Sequence, residues 1–203
     1  MKRKKIIFLG VVFTAALLLY FTKPQQPQYV QNYHLVKLDA KQNRLKPWDG
    51  PWRCVEDTNT KLVWELSSYD ETLQDEKCSY SWYDGNFGVA KRGSCFTKDS
   101  KSDTKDIIDY LNTIKLCGYS DWRLPTTKEL QTLLYYHSLP GDAMVEKSFF
   151  PRTHKELYWT SKIDTTTQKA EAVNFKDGSV WQLEFDNVAR VKAVRSATKT
   201  TTP

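Results

Sequence analysis

The residues of this chain whose types could carry chemistry are its histidines, its cysteines and a set of lysines and arginines toward the C-terminus. His34, His137 and His154 are scattered, and none stands beside a serine or cysteine in a nucleophile motif. No G-x-S-x-G, P-loop or H-E-x-x-H pattern occurs. His137 falls at a predicted helix end, where a cation complements the dipole. His154 lies between Arg152 and Lys155 and reads as part of a basic surface. Cys54, Cys78, Cys95 and Cys117 are 24, 17 and 22 positions apart, too far for the paired ligands of a zinc site. The reading is a non-enzymatic chain with no metal and no cofactor.

The remaining candidate is a surface. Lys162, Lys169, Lys176, Arg190 and Lys192 are predicted to project from strands or their loops, with Trp181 on the strand after Lys176-Asp177-Gly178. Acidic or sulfated glycans ask for cations of this kind beside an aromatic face. Residues 150–203 carry 9 basic and 6 acidic side chains, against 16 and 18 in residues 24–149. An excess that small is also what an ordinary solvated face would show.

The formal charge of +6 does not imply a nucleic-acid partner. Residues 1–23 hold Lys2, Arg3, Lys4, Lys5 and Lys23 and no acid, and without them 25 basic residues face 24 acidic ones. That N-terminal charge serves another purpose. Residues 1–5 form a basic cytoplasmic tip, and residues 6–22 an apolar run matching a signal anchor, against the roughly 17–25 residues of a membrane-crossing helix. Leu17-Leu18-Leu19-Tyr20-Phe21 is bulky to its end, so no small-residue cleavage site follows. By the positive-inside rule the expectation is a single pass through the inner membrane, with the C-terminal domain in the periplasm or outside the cell, a cleaved signal peptide being the alternative. Four cysteines suit that oxidising compartment as two disulfides, with three connectivities open.

The elements that must position these residues follow. Residues 23–50, with Pro24, Pro27 and several glutamines, read as a stalk, residues 51–197 as the folded domain and 198–203 as a tail. Arg53 to Glu56 and Leu62 to Glu65 flank Asp57-Thr58-Asn59-Thr60-Lys61 as a hairpin. Residues 67–101 form a long irregular insertion holding Cys78 and Cys95. Asp103 caps a helix whose face is Ile107, Ile108, Leu111 and Ile114. Gly118 stops that helical region and Pro125 bars its continuation. Thr126 with Glu129 then opens a second helix over about 127–137 with a capping box. Trp122 and Arg123 between them form a packed corner, with Arg123 serving helix-end carbonyls or Asp121. Trp48 and Trp52 read as a hydrophobic lid. Four strands follow, over 157–161, 170–175, 179–185 and 189–195, the middle pair joined at Asp177-Gly178.

Gly118-Tyr119-Ser120-Asp121-Trp122-Arg123-Leu124-Pro125, running into Thr126-Thr127-Lys128-Glu129-Leu130, resembles the signature of the bacterial Lcl C-terminal domain family, named after a collagen-like surface adhesin. Val55, Asp57, Thr60, Leu62 and Trp64 resemble the family's opening hairpin, and Tyr158-Trp159-Thr160-Ser161 and Val173-Asn174-Phe175 its closing elements. The resemblance covers about residues 52–196. It implies an α+β, C-type-lectin-like fold, two helices packed on a twisted, mostly antiparallel sheet behind the transmembrane anchor. The family's cysteine positions imply Cys54–Cys117, which leaves Cys78–Cys95 to staple the insertion. The adhesin's association with glycosaminoglycans implies an acidic-glycan partner. The calcium loops of true C-type lectins are missing, Phe185-Asp186-Asn187 being only a turn. The expected function is an envelope-bound adhesion or binding module contacting a glycan or another envelope protein, with oligomerisation open. The alternative is a structural subunit of an envelope assembly.

Overall fold

The structure is a computed structural model that describes residues 34–96 and 100–197. The anchor, residues 23–33 of the stalk and the tail lie outside the described residues. Among those described, no helix is long and apolar enough to cross a membrane. The architecture is α+β, mostly antiparallel strands with two short helices. The strands form three sheets rather than one.

The first sheet runs β1 (Leu35–Leu38), β2 (Cys54–Asp57), β3 (Leu62–Glu65) and β9 (Val194–Ser196), all antiparallel. The β2–β3 turn forms because Asp57 Oδ1 accepts the amides of Asn59 at 2.9 Å and Thr60 at 3.3 Å. β1 corrects the stalk expectation. Leu35 pairs with Asp57 and Leu38 with Cys54, so the folded unit takes in residues 35–38 well ahead of position 51. Leu38 is buried there, and so is Lys37, which donates to the Pro47 carbonyl at 2.7 Å.

β5 (Leu157–Asp164), β6 (Lys169–Asn174) and β7 (Val180–Glu184) make the second sheet, with β5 and β7 at its edges. The expected turn joins β6 to β7, with the Gly178 amide donating to the Asn174 carbonyl at 2.8 Å. Side chains alternate across a strand, so β5 sends Trp159 into one apolar cluster with Trp82, Leu111 and Phe185 and Tyr158 into another with Trp64, Phe150 and Phe175. The sheet therefore separates two cores.

The insertion is tied into the third sheet. β4 (Tyr80–Ser81) pairs with β8 (Val188–Ala189). Beside it the Trp82 indole donates to the Thr160 carbonyl at 2.8 Å, and the Trp159 indole to the Tyr80 carbonyl at 2.7 Å. The strand predicted over 189–195 is broken into β8 and β9. Gly93 lets the insertion close on itself, since a Cβ there would lie 2.3 Å from the Ser79 carbonyl oxygen.

α1 (Thr104–Thr113) starts at the predicted cap. Asp103 accepts the Asp106 amide at 3.1 Å and donates its own amide to Asp106 at 2.9 Å. Ile107 and Leu111 are buried, but Ile114 is exposed because the helix has ended before it. The chain passes through a short turn at Leu116–Gly118, where Gly118 has φ of 75°. α2 covers only Thr127–Gln131, against the expected 127–137. Beyond it the Tyr135 amide turns away to the Met144 carbonyl at 2.8 Å, so Leu133 is buried from a turn.

Candidate functional site: a basic groove beside a packed corner

The four cysteines pair as Cys54–Cys117 and Cys78–Cys95. No cysteine is free. The first bridge ties β2 to the start of the corner; the second closes the insertion.

The corner is built from main-chain and side-chain bonds together. Trp122 is 2 % exposed, and its indole donates to the Leu116 carbonyl at 3.2 Å. The Asn112 amide at the end of α1 accepts the Trp122 N–H at 2.7 Å and donates to the Trp122 carbonyl at 3.0 Å. Arg123 exchanges backbone bonds with Val194 of β9 at 3.0 and 2.9 Å, and the Pro125 carbonyl accepts the Ser161 amide at 2.7 Å. Buried this way, Trp122 has almost no surface to offer a ligand.

Arg123 does not use Asp121. Its guanidinium forms a bidentate pair with Glu129, at 2.8 and 2.7 Å, and reaches the Leu124 carbonyl at 3.1 Å. The Arg123 guanidinium holds the Glu129 carboxyl below its ordinary range, outweighing burial. Asp121 is taken by Arg195 instead. Arg123, Leu124 and Thr126 also wall a cleft of about 540 Å³ with Lys105, Ile108 and Ile163. Its cations are already neutralised, Arg123 by Glu129 and Lys105 by Asp109.

The predicted basic surface is only partly assembled. Lys162 pairs with Glu171 at 2.8 Å and Lys169 with Glu184 at 3.2 Å. Lys192 is a correction: it is 1 % exposed, turned inward beneath β3 with its ammonium 3.6 Å from Glu65. Arg190 is largely enclosed, bonded to Glu156 at 2.6 Å and to the backbone carbonyls of Glu76 and Cys78. That guanidinium holds the Glu156 carboxyl below its usual range, burial opposing. Trp181 is 51 % exposed, with its indole donating to Ser179 Oγ at 2.9 Å. The lid is split as well. Trp52 donates to the Phe149 carbonyl at 3.0 Å beneath the Lys37 ammonium, whereas Trp48 is 77 % exposed.

Residues 53–195 match the family model of the Lcl C-terminal domain. The chain belongs to that family. No curated protein matches it, and no solved structure does. Within this Lcl C-terminal domain, Lys176 and Arg190 meet Lys77, which sequence reasoning missed, and Lys155, which it read only as a neighbour of His154 on a basic surface. Lys77 and Lys155 line the same groove of about 460 Å³, with Glu156 and Asn174. Lys77, Lys155 and Lys176 form no ion pair among the described residues; Arg190 alone is paired. Trp181 stands opposite Ala172 in the β6–β7 register. Strand alternation therefore puts it on the sheet face that carries Asn174, although it does not itself line the groove.

The groove could not be read from spacing. Lys77 comes from the disulfide-closed insertion, Lys155 from the loop before β5, and Lys176 from the β6–β7 turn. β1 lies ahead of the span that the family match covers.

Proposed function

We propose that this Lcl C-terminal domain is an extracytoplasmic, non-enzymatic binding module of the bacterial envelope that holds a polyanionic glycan in the groove of Lys77, Lys155, Lys176 and Arg190. The observation that carries the reading is three lysines that line one concavity and form no ion pair among the described residues. Each keeps its ammonium hydrated and exchangeable, so a chain of sulfates or carboxylates gains several contacts at once. Screening acts within about 8–10 Å at physiological salt, so such binding weakens steeply as ionic strength rises. Trp181, exposed on the sheet face that carries Asn174, offers a ring face for a sugar. The accompanying fold reading is C-type-lectin-like, supported by antiparallel sheets, two short helices and a disulfide ahead of the corner. The accompanying placement is an uncleaved anchor at residues 6–22 in the inner membrane, supported by the basic tip and the bulky end of the apolar run.

Heparin is the probe that tests it. The full-length chain should be retained on a heparin column at low salt, and Lys77→Glu with Lys155→Glu and Lys176→Glu should release it without changing the melting temperature. Trp181→Ala should weaken retention. Unchanged retention by the triple reversal, or none by the wild type, would sink the reading. For the anchor, carbonate-resistant membrane association and a mature N-terminus at Met1 are expected; an N-terminus between about Phe21 and Gln28 would refute it.

A second reading, an assembly subunit of an envelope complex, has its own observation. β7 is an open sheet edge, and Val180 and Trp181 on it are exposed, as is Tyr136 beside the preceding turn. Unpaired edges bearing apolar residues invite strand pairing.

A further inference from the structure

Lys192, expected on the surface, instead forms the floor of a separate pocket of about 380 Å³ whose walls include Trp52, Tyr69, Arg53, Arg152 and Asp70. The pocket shares no lining residue with the basic groove. A buried ammonium has three protons to place. That of Lys192 makes one hydrogen bond among the described residues, a long one of 3.4 Å to Ser67 Oγ, and stands 3.6 Å from Glu65. Glu65 is itself shared, because it accepts from the Gln74 side chain at 3.1 Å. The donor capacity left over is in the cavity that Lys192 lines.

Two arginines line the same pocket. Arg152 donates to the Ser67 carbonyl at 3.2 Å and lies 4.3 Å over the Tyr69 ring. Arg53 donates to Gln74 Oε1 at 3.2 Å. Each spends one N–H on these bonds and keeps others for a ligand. One carboxylate, Asp70, lines the pocket with them. Burial would raise the Asp70 carboxyl, but the hydroxyls of Ser68 and Thr72, at 2.5 and 2.6 Å, hold it below its ordinary range. Both hydroxyls bond Oδ1, which leaves Oδ2 to accept from a ligand.

We propose that this pocket binds a small hydroxylated anion, a sugar acid or a sugar phosphate, with its anionic group held by Lys192, Arg53 and Arg152. A ring hydroxyl donates to Asp70, and Tyr69, 62 % exposed, covers the ring's apolar side. The three cations outnumber Asp70 and Glu65, so a single negative charge completes the site. A cavity of this size lies at the lower end of the range used for small ligands.

The test follows the Trp52 indole resonance in the ¹H–¹⁵N spectrum of the full-length chain as glucuronate, glucose 6-phosphate or glucose is added. At least one of the two anions should shift it saturably, and glucose should not; which anion binds names the acid or the phosphate as the source. Arg152→Gln should weaken that binding at least about tenfold, as loss of a charged hydrogen bond does. Lys192→Met should abolish it. If that variant fails to fold, Arg53→Gln carries the same expectation of at least about tenfold. Lys176→Glu, in the groove, should leave it unchanged, which separates this pocket from the heparin reading. The proposal is overturned by no saturable shift with either anion, by equal binding of glucose, or by full affinity in Arg152→Gln and Arg53→Gln.

Discussion

The Arg195 guanidinium closes on the Asp121 carboxylate with two hydrogen bonds, 2.6 Å from Nε to Oδ1 and 3.1 Å from Nη2 to Oδ2. The same guanidinium lies 3.7 Å over the Tyr119 ring. A planar fork thus joins the last strand to the corner across 74 residues of sequence. Arg195→Lys keeps the charge and loses the fork and the stacking. It should lower stability by about 1–2 kcal/mol in urea denaturation. Asp121→Asn should cost less, under about 1 kcal/mol, because Asp121 is mostly exposed and solvent screens it. Equal losses would contradict this account.

Trp122 is buried in the corner. Trp122→Ala should therefore remove about 3–5 kcal/mol, the range of buried aromatic truncations. Chemical denaturation measures it. A variant as stable as wild type but unable to bind heparin would make the corner a binding surface instead.

The two bridges should leave no alkylatable thiol in the non-reduced protein, and digestion should yield Cys54–Cys117 and Cys78–Cys95 peptides. Their loops span 63 and 17 positions. On the chain-entropy account, removing the first should cost about 4 kcal/mol and the second about 3. A Cys54–Cys78 peptide would refute the pairing.

Acid should erode the Arg123–Glu129 pair. The folded Glu129 carboxyl is depressed by Arg123. Its contribution is complete above the unfolded value of about 4.3 and disappears as pH falls through the lower folded value. Unfolding free energy measured from pH 6 to pH 3 should fall less steeply in Glu129→Gln than in wild type. Parallel acid limbs would mean that other carboxylates set the slope.

What the sequence disclosed was local. Thr126 with Glu129, Asp103 with Asp106, and Asp177-Gly178 each act within four residues, so their caps and turns were legible. Arg123 was misread because Asp121 is nearer in sequence. The extended backbone before Pro125 hands Asp121 to β9 and leaves Arg123 to the helix it precedes. Lys192 looked solvent-facing since nothing near it signals Glu65, which reaches it only when β3 and the chain leading into β9 pack together. β1 was passed over because its four residues include Lys37, whose ammonium finds the Pro47 carbonyl only in the fold. The groove lysines come from three separate loops. No spacing rule links them.

The placement of the first bridge has a mechanical meaning. A pull on the backbone at His34 acts first on β1, a strand of four residues at the edge of its sheet, paired there with β2. Its last residue, Leu38, pairs with Cys54, which is covalently fixed to Cys117. Tension that strips β1 therefore arrives at Cys54, where the chain is bolted to the corner, and it passes along that covalent link before it can load the hairpin. The fold can give up its first strand under force, and with it Leu38 from one core, while the bridge keeps the corner tied to β2.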